Sequence, residues 1–327
     1  MSSNGHGQIP VEVLDARFPP LPKMQRVSPP KPPSIWPALI LFLLTVLSTL
    51  AVGTEFALSY AQNREPFSGN QDPFAMMLVP FQHPHLLVLG VPFSFTLLVI
   101  LMAHEMGHFI ACRIYGIDAT YPYFIPAPTL FGTFGAFIRI RSPITTRKAL
   151  FDVGISGPII GFLLAAPAMV YGVAAAKIVP GVQNSADILF GDPSFLRLLK
   201  ALFHPNVNPG WVLIHPIGWA AWIGMFATAL NLLPVWQLDG GHILFATAPE
   251  KHRQASLAVA LALVGLGIYA WHGWLLWGFI LTILSLRYRH PPFYDPWETL
   301  DPKRRVLTVA AILIFILCFT PWPATNP

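Results

Sequence analysis

Three residues in one apolar stretch carry chemistry that their neighbours do not. Leu97–Tyr115 reads LLVILMAHEMGHFIACRIY and holds His104, Glu105 and His108 in an H-E-x-x-H pattern. On a helix, residues four apart share a face and stand about 5–6 Å from each other, so both imidazoles can reach one metal ion. Glu105 is one residue round, at the edge of that face, where its carboxylate can act on a water instead of binding metal. Ionisable groups inside a membrane-length helix cost free energy. Zinc-dependent hydrolysis is the leading chemistry that accounts for keeping them.

Two imidazoles leave a catalytic zinc one protein ligand short. The best source of a third is Asn231–His242, NLLPVWQLDGGH. Pro234 lacks an N–H and clashes with the preceding turn, so it is expected to break the span that begins near Trp211. Asp239 before Gly240-Gly241 then reads as a tight turn into a short helix. Its carboxylate suits an N-cap and, on a broken membrane helix, also a metal ligand. His242, three residues further on, is a candidate neighbour of the site.

The elements that must position these groups are membrane helices. Of 327 residues, 54% are hydrophobic and 11% charged, against about 25% charged in a soluble domain, and the mean hydropathy is +0.57. An integral membrane protein in a lipid bilayer follows, with no stretch long and polar enough for an appended globular domain. The net charge of +5 is not a nucleic-acid footprint, because the basic residues sit in short loops. Cys112 and Cys318, each inside an apolar segment, read as small buried hydrophobes.

Residues 1–34 form a proline-rich tail, and residues 35–322 a membrane domain with a short tail at 323–327. Apolar segments fall at about 35–60, 93–115, 149–178, 212–233, 255–271, 274–287 and 306–322. They predict an all-α polytopic membrane protein of about six or seven transmembrane helices. The first run is about twice the length of a signal h-region and lies behind a long leader, so it reads as a retained span. With the N-terminus on the cytoplasmic side, 16 of the 20 basic residues lie in inner segments, as the positive-inside rule requires. That split favours a hairpin of two spans over one bent helix across 255–287. The absence of an Arg- and Ser-rich presequence points to a bacterial cytoplasmic (inner) membrane.

Residues 116–148, within which 120–148 is the β region, are rich in Pro, Gly and aromatics. They cannot make one long helix, and Phe131–Arg141 alternates like a strand. Irregular apolar backbone near a membrane is tolerated where protein buries it or a cavity lies alongside. A membrane re-entrant β-hairpin entering from the inner side fits, and its free edge can pair with an extended peptide.

Taken together, His104–His108 and Asn231-Leu-Leu-Pro…Leu238-Asp239-Gly240 resemble the site-2 protease family of intramembrane zinc metalloproteases. Ile155-Ser156-Gly157-Pro158 and the Gly-rich Phe131–Phe137 stretch extend the resemblance over a catalytic core of about residues 90–245. The resemblance implies Zn2+ on His104, His108 and Asp239, with Glu105 as general base. It also implies that Asn231 holds the substrate carbonyl or its oxyanion, and that Gly132, Thr133, Phe134 and Gly135 hold substrate as a strand. The PDZ domain of many members has no counterpart here. Pro291-Pro292 and Asp301-Pro302-Lys303-Arg304-Arg305 resemble the plastid and cyanobacterial-type branch.

The expected activity is therefore hydrolysis of peptide bonds in or near transmembrane segments of other membrane proteins. His104 lies eleven residues from the inner end of its helix, about 16 Å at 1.5 Å per residue, so the site is expected inside the membrane and open to the cytoplasmic side. The alternative is a polytopic transporter using the His/Asp site for ions, since broken helices and midplane charges suit transporters too. No inverted repeat is evident, and Glu105 and Asn231 would then have no stated role.

Overall fold

A computed structural model describes residues 34–68, 78, 80–288, 290, 291, 293 and 298–325. The proline-rich tail, save its last residue, lies outside them. Helix α1 spans Trp36–Ala61 and buries Thr45, Thr49, Val52, Phe56 and Ser59, one helical face at spacings of three and four. A 3₁₀ turn, Pro84–Gly90, leads into α2, Val91–Ile114, the helix of the H-E-x-x-H residues. The two helices cross where a Cβ on Gly53 would lie 2.6 Å from the Gly90 carbonyl. Close backbone approach of this kind is what membrane helices gain from small residues.

Strands β1 (Tyr123–Pro126) and β2 (Thr133–Phe137) form an antiparallel hairpin, pairing Tyr123 with Phe137 and Pro126 with Thr133 across a bulge. The strand expected over 131–141 is thus shorter, and its partner contains a proline. The hairpin is fastened to α1. Gly132, at φ +75°, packs so that a Cβ would lie 2.8 Å from the Ser48 carbonyl oxygen. The Ser48 hydroxyl donates to the Gly132 carbonyl at 2.6 Å.

Helix α3, Arg147–Ala174, carries Pro158 and Pro167 inside it and packs along α2. Beyond it, β3 (Lys177–Ile178) pairs with β5 (Val212–Leu213), while β4 (Leu189–Phe190) pairs with β6 (Ala324–Thr325). Between these lies the amphipathic α4, Ser194–Phe203. The apolar run expected from 212 becomes helical only at α5, Pro216–Asn231, where the His215 ring nitrogen accepts from Ile217 N–H. After a loop come α6 (Asp239–Thr247), α7 (Pro249–Tyr269) and α8 (Gly273–Arg287). Helix α9 covers Pro302–Cys318. The expected two-helix arrangement over 255–287 is present as α7 and α8, so closely packed that a Cβ on Gly267 would meet Leu275 N at 2.4 Å.

The chain is mostly helical. Among the described residues, three helical stretches are long and apolar enough to cross a membrane: Trp36–Ala61, Pro84–Ile114 and Arg147–Ala174. Helices α5, with 16 residues, and α8, with 15, fall short of the roughly 20 a straight span requires. The basic ends of α2, α3 and α9 are tied together. The Arg304 guanidinium donates to Asp152 (2.8 Å) and to the Tyr115 hydroxyl (3.0 Å), and Arg147 donates to the Glu298 carbonyl (2.8 Å).

Candidate metal centre

Helix α2 places His104, Glu105 and His108 in the core, each less than a tenth exposed. Their ligand atoms all lie within 4.8 Å of one another. Asp239 arrives from the opposite direction. Its Oδ2 stands 3.2 Å from His104 Nε2 and 3.3 Å from His108 Nε2. In a tetrahedral site with ligands at about 2.0–2.1 Å, neighbouring ligand atoms are about 3.3–3.4 Å apart. The Asp239 oxygen therefore stands from each imidazole nitrogen at the spacing that a shared small cation imposes.

The His108 ring is held from behind. Its Nδ1 lies 2.6 Å from the Val153 carbonyl oxygen, which only an N–H can satisfy, so Nε2, 3.3 Å from Asp239, is the ring nitrogen that can offer a lone pair to an ion. A carbonyl behind a metal-binding histidine fixes tautomer and ring angle in this way.

The tight fit of α3 against these rings depends on glycines that the sequence reading did not single out for this purpose. A Cβ on Gly157 would lie 2.1 Å from His108 Nε2, and one on Gly161 would lie 3.0 Å from His104 Nδ1. Gly154 makes the same allowance for α6, 3.1 Å from the Asp239 carbonyl. Spaced at three and four residues, these glycines form one smooth face of α3. Gly157 lies within the Ile155–Pro158 motif, and the signal for the whole face is the 154/157/161 glycine periodicity.

Helix α5 ends at Asn231, three residues before Pro234, and the loop turns back so that α6 begins at Asp239. The turn is tight enough that Cβ atoms on Gly240 and Gly241 would lie 2.0 Å and 2.4 Å from the Leu232 and Trp236 carbonyls. The N-cap position expected for Asp239 belongs instead to Leu238, and Asp239 is the first helical residue. Its carboxylate faces two imidazoles, while the backbone turn alone starts the helix. The Asn231 amide lies 3.3 Å from His104 Nε2, so this residue too reaches the site.

His242 points elsewhere: its Nδ1 is 3.0 Å from His290 Nε2. It stands behind the site and pairs with a residue 48 positions away, a partnership no local pattern reveals.

The hairpin borders the site. Strand β2 packs against α2, the helix that carries Glu105. Gly132, Thr133, Phe134 and Gly135 fall on the turn and first half of β2. The Thr133 hydroxyl donates to Ile125 O and accepts from Gly135 N–H, while the Phe134 side chain is 71% exposed. Gly135, at φ +100°, has open space where a Cβ would be. An apolar cavity of about 880 Å³ runs from Thr133–Gly135 to Leu101 on α2 and to Trp222, Phe226 and Leu230 on α5.

Residues 92–270 match Peptidase family M50, the family to which the site-2 protease resemblance points, and the chain belongs to it. It is similar to the Oryza sativa subsp. japonica protein named probable zinc metalloprotease EGY1, chloroplastic. The two are 28% identical over 312 residues, 91% of this chain and 53% of the relative. The Arabidopsis thaliana protein of the same name is 30% identical over 319 residues, 91% and 56% of the two chains. Probable zinc metalloprotease EGY2, chloroplastic, of Oryza sativa subsp. indica is 32% identical over 257 residues, 76% and 45%. The chain thus spans about half the length of the curated relatives it matches. These names give the transporter alternative no support. They carry the word chloroplastic, so the expected bacterial inner membrane finds no support either.

Proposed function

We propose that this chain is an intramembrane zinc metalloendopeptidase that cleaves membrane proteins in or near their transmembrane segments. The observation that carries the reading is the approach of His104 Nε2 and His108 Nε2 to a single oxygen of Asp239, at 3.2 and 3.3 Å, with Glu105 beside them. His104, His108 and Asp239 would hold the ion. Bound there, zinc supplies Lewis acidity and lowers the pKa of a water to about 7.

Every other step belongs to the protein. Glu105 accepts a proton from the attacking water and returns it to the leaving amine. The Asn231 amide donates to the oxygen of the scissile carbonyl as charge builds on it. A transmembrane helix hides its amides in its own hydrogen bonds, so it must open before attack. Gly132–Gly135 offer an extended edge on which the opened segment exchanges those bonds for new ones.

The wider arrangement is proposed with it. Residues 35–322 form one membrane domain with its catalytic core at about 90–245, following the proline-rich tail 1–34 and preceding the short tail 323–327. Six or seven helices cross the bilayer once α5, α7, α8 and α9 are counted, and the 120–148 β region re-enters it. The N-terminus and the mouth of the site face the side bearing Arg113, Arg147 and Arg304.

Reconstituting the chain with a tagged single-span substrate tests the reading. Glu105→Gln is expected to keep its zinc and lose at least about a hundredfold in cleavage rate. Cleavage at the wild-type rate by a zinc-loaded Glu105→Gln protein would remove Glu105 from the mechanism.

A further inference from the structure

A second cavity, of about 240 Å³, lies on the far side of the loop that delivers Asp239. It is lined by Trp236 of that loop, His252, Arg253 and Ser256 of α7, Ser285 of α8, and Tyr288 and His290 beyond it, among others. Two of these carry buried polar atoms without a partner: Trp236 Nε1 and Ser285 Oγ. Ser285 is only 6% exposed. A buried donor left without a partner keeps its desolvation cost uncompensated, so two in one polar cavity point to something that binds them.

The remaining polar groups show what kind of partner. His252 Nε2 is taken by the Trp236 carbonyl at 3.0 Å, and the Ser256 hydroxyl accepts from Trp236 N–H at 3.3 Å. His290 is neutral, burial pushing its imidazole down to about 4. Its Nδ1 is 3.0 Å from the Pro291 carbonyl, and its Nε2 faces His242. That leaves an indole N–H, a serine hydroxyl, the Tyr288 hydroxyl and the Arg253 guanidinium. Among the described residues, no carboxylate lines the cavity. Three donors and a fixed positive charge, spread over a loop and two helices, suit an anion with several outward-facing oxygens. Arg253 and Arg287 also put the cavity at the basic end of the bundle, where phospholipid headgroups gather.

We propose that this cavity binds a phosphate group, the chemistry shared by a phospholipid headgroup and free inorganic phosphate, through Trp236, Ser285 and Arg253. The bound anion ties the loop between Asn231 and Asp239 to α7 and α8. The site is distinct from the metal centre, and its test needs no proteolysis.

The test uses the full chain in dodecyl maltoside micelles with ¹⁵N-labelled indoles, the Trp236 resonance being assigned by its loss in Trp236→Phe. Dihexanoyl phosphatidylglycerol and inorganic phosphate are titrated separately, against sodium chloride at matched ionic strength. A saturable shift of the Trp236 indole is expected, with affinity at least about tenfold weaker in Ser285→Ala and Arg253→Gln. Saturation by the lipid alone identifies a headgroup site, and equal saturation by both identifies a site for phosphate itself. The proposal is overturned by no saturable shift with either probe, by the same shift in sodium chloride, or by unchanged affinity in both variants.

Discussion

A methyl group on Gly157 would sit 2.1 Å from His108 Nε2 and 2.5 Å from the neighbouring ring carbon Cε1, in space the imidazole already fills. The absence of a side chain at this position is therefore as much a part of the centre as the ligands are. Gly157→Ala is expected to lower zinc affinity at least about tenfold while helical circular dichroism stays unchanged, because the backbone of α3 tolerates alanine and the imidazole must turn away. Asp239→Ala serves as the reference, expected to lose zinc outright. Full zinc content in either variant, by metal analysis after dialysis, would count against the tetrahedral arrangement. At this scale the sequence was informative where spacing is local. His104, Glu105 and His108 fall within five residues, so their common face was legible. The cap expected at Asp239 was not realised, because an N-cap and a first helical residue differ by one position that local pattern does not resolve.

Among the elements, the long helices announced themselves by apolar length and appear within a few residues of the expected bounds. The short pieces did not. Tyr123–Pro126 is a strand despite its proline, since β1 lies at a sheet edge where one missing N–H is tolerated. Val212–Leu213 reads as the start of a span yet pairs with Lys177–Ile178, a tertiary contact that overrides local hydropathy. The loops at this end of the bundle also carry a pH-sensitive contact. Glu65 follows α1 and its N–H donates to the Ser185 hydroxyl at 3.4 Å. Burial raises its carboxyl to about 7, with Lys200 opposing and Asp192 adding to the effect. An unfolded Glu titrates near 4.3, so the folded state holds an extra proton between about 4.3 and 7. The stability from this group is present at the lower pH and fades as pH rises through 7. Hydrogen exchange across residues 62–68, corrected for intrinsic rates, should report weaker protection at pH 8 than at pH 5.5. Glu65→Gln should flatten the difference, and a persisting slope would assign it to another group.

For the molecule as a whole, the two halves of the metal centre lie far apart along the chain. His104 and Asp239 are separated by 135 residues, and Asp239 stands on a nine-residue helix that its own hydrogen bonds do little to hold. An ion gripping both ends closes that loop and stabilises the closed arrangement by about 2.7 kcal/mol at a hundredfold excess over Kd. On the proposed ligand set, maturation and activity would be one event: α6 would dock as the ion enters, and hydrolysis would wait until the chain has passed Asp239. Chelation should act as local melting, exposing the 232–248 segment to added protease well before α1–α3 loosen. If that segment resists cleavage equally with and without chelator, packing alone assembles the centre, and the ion is a passenger in a finished fold.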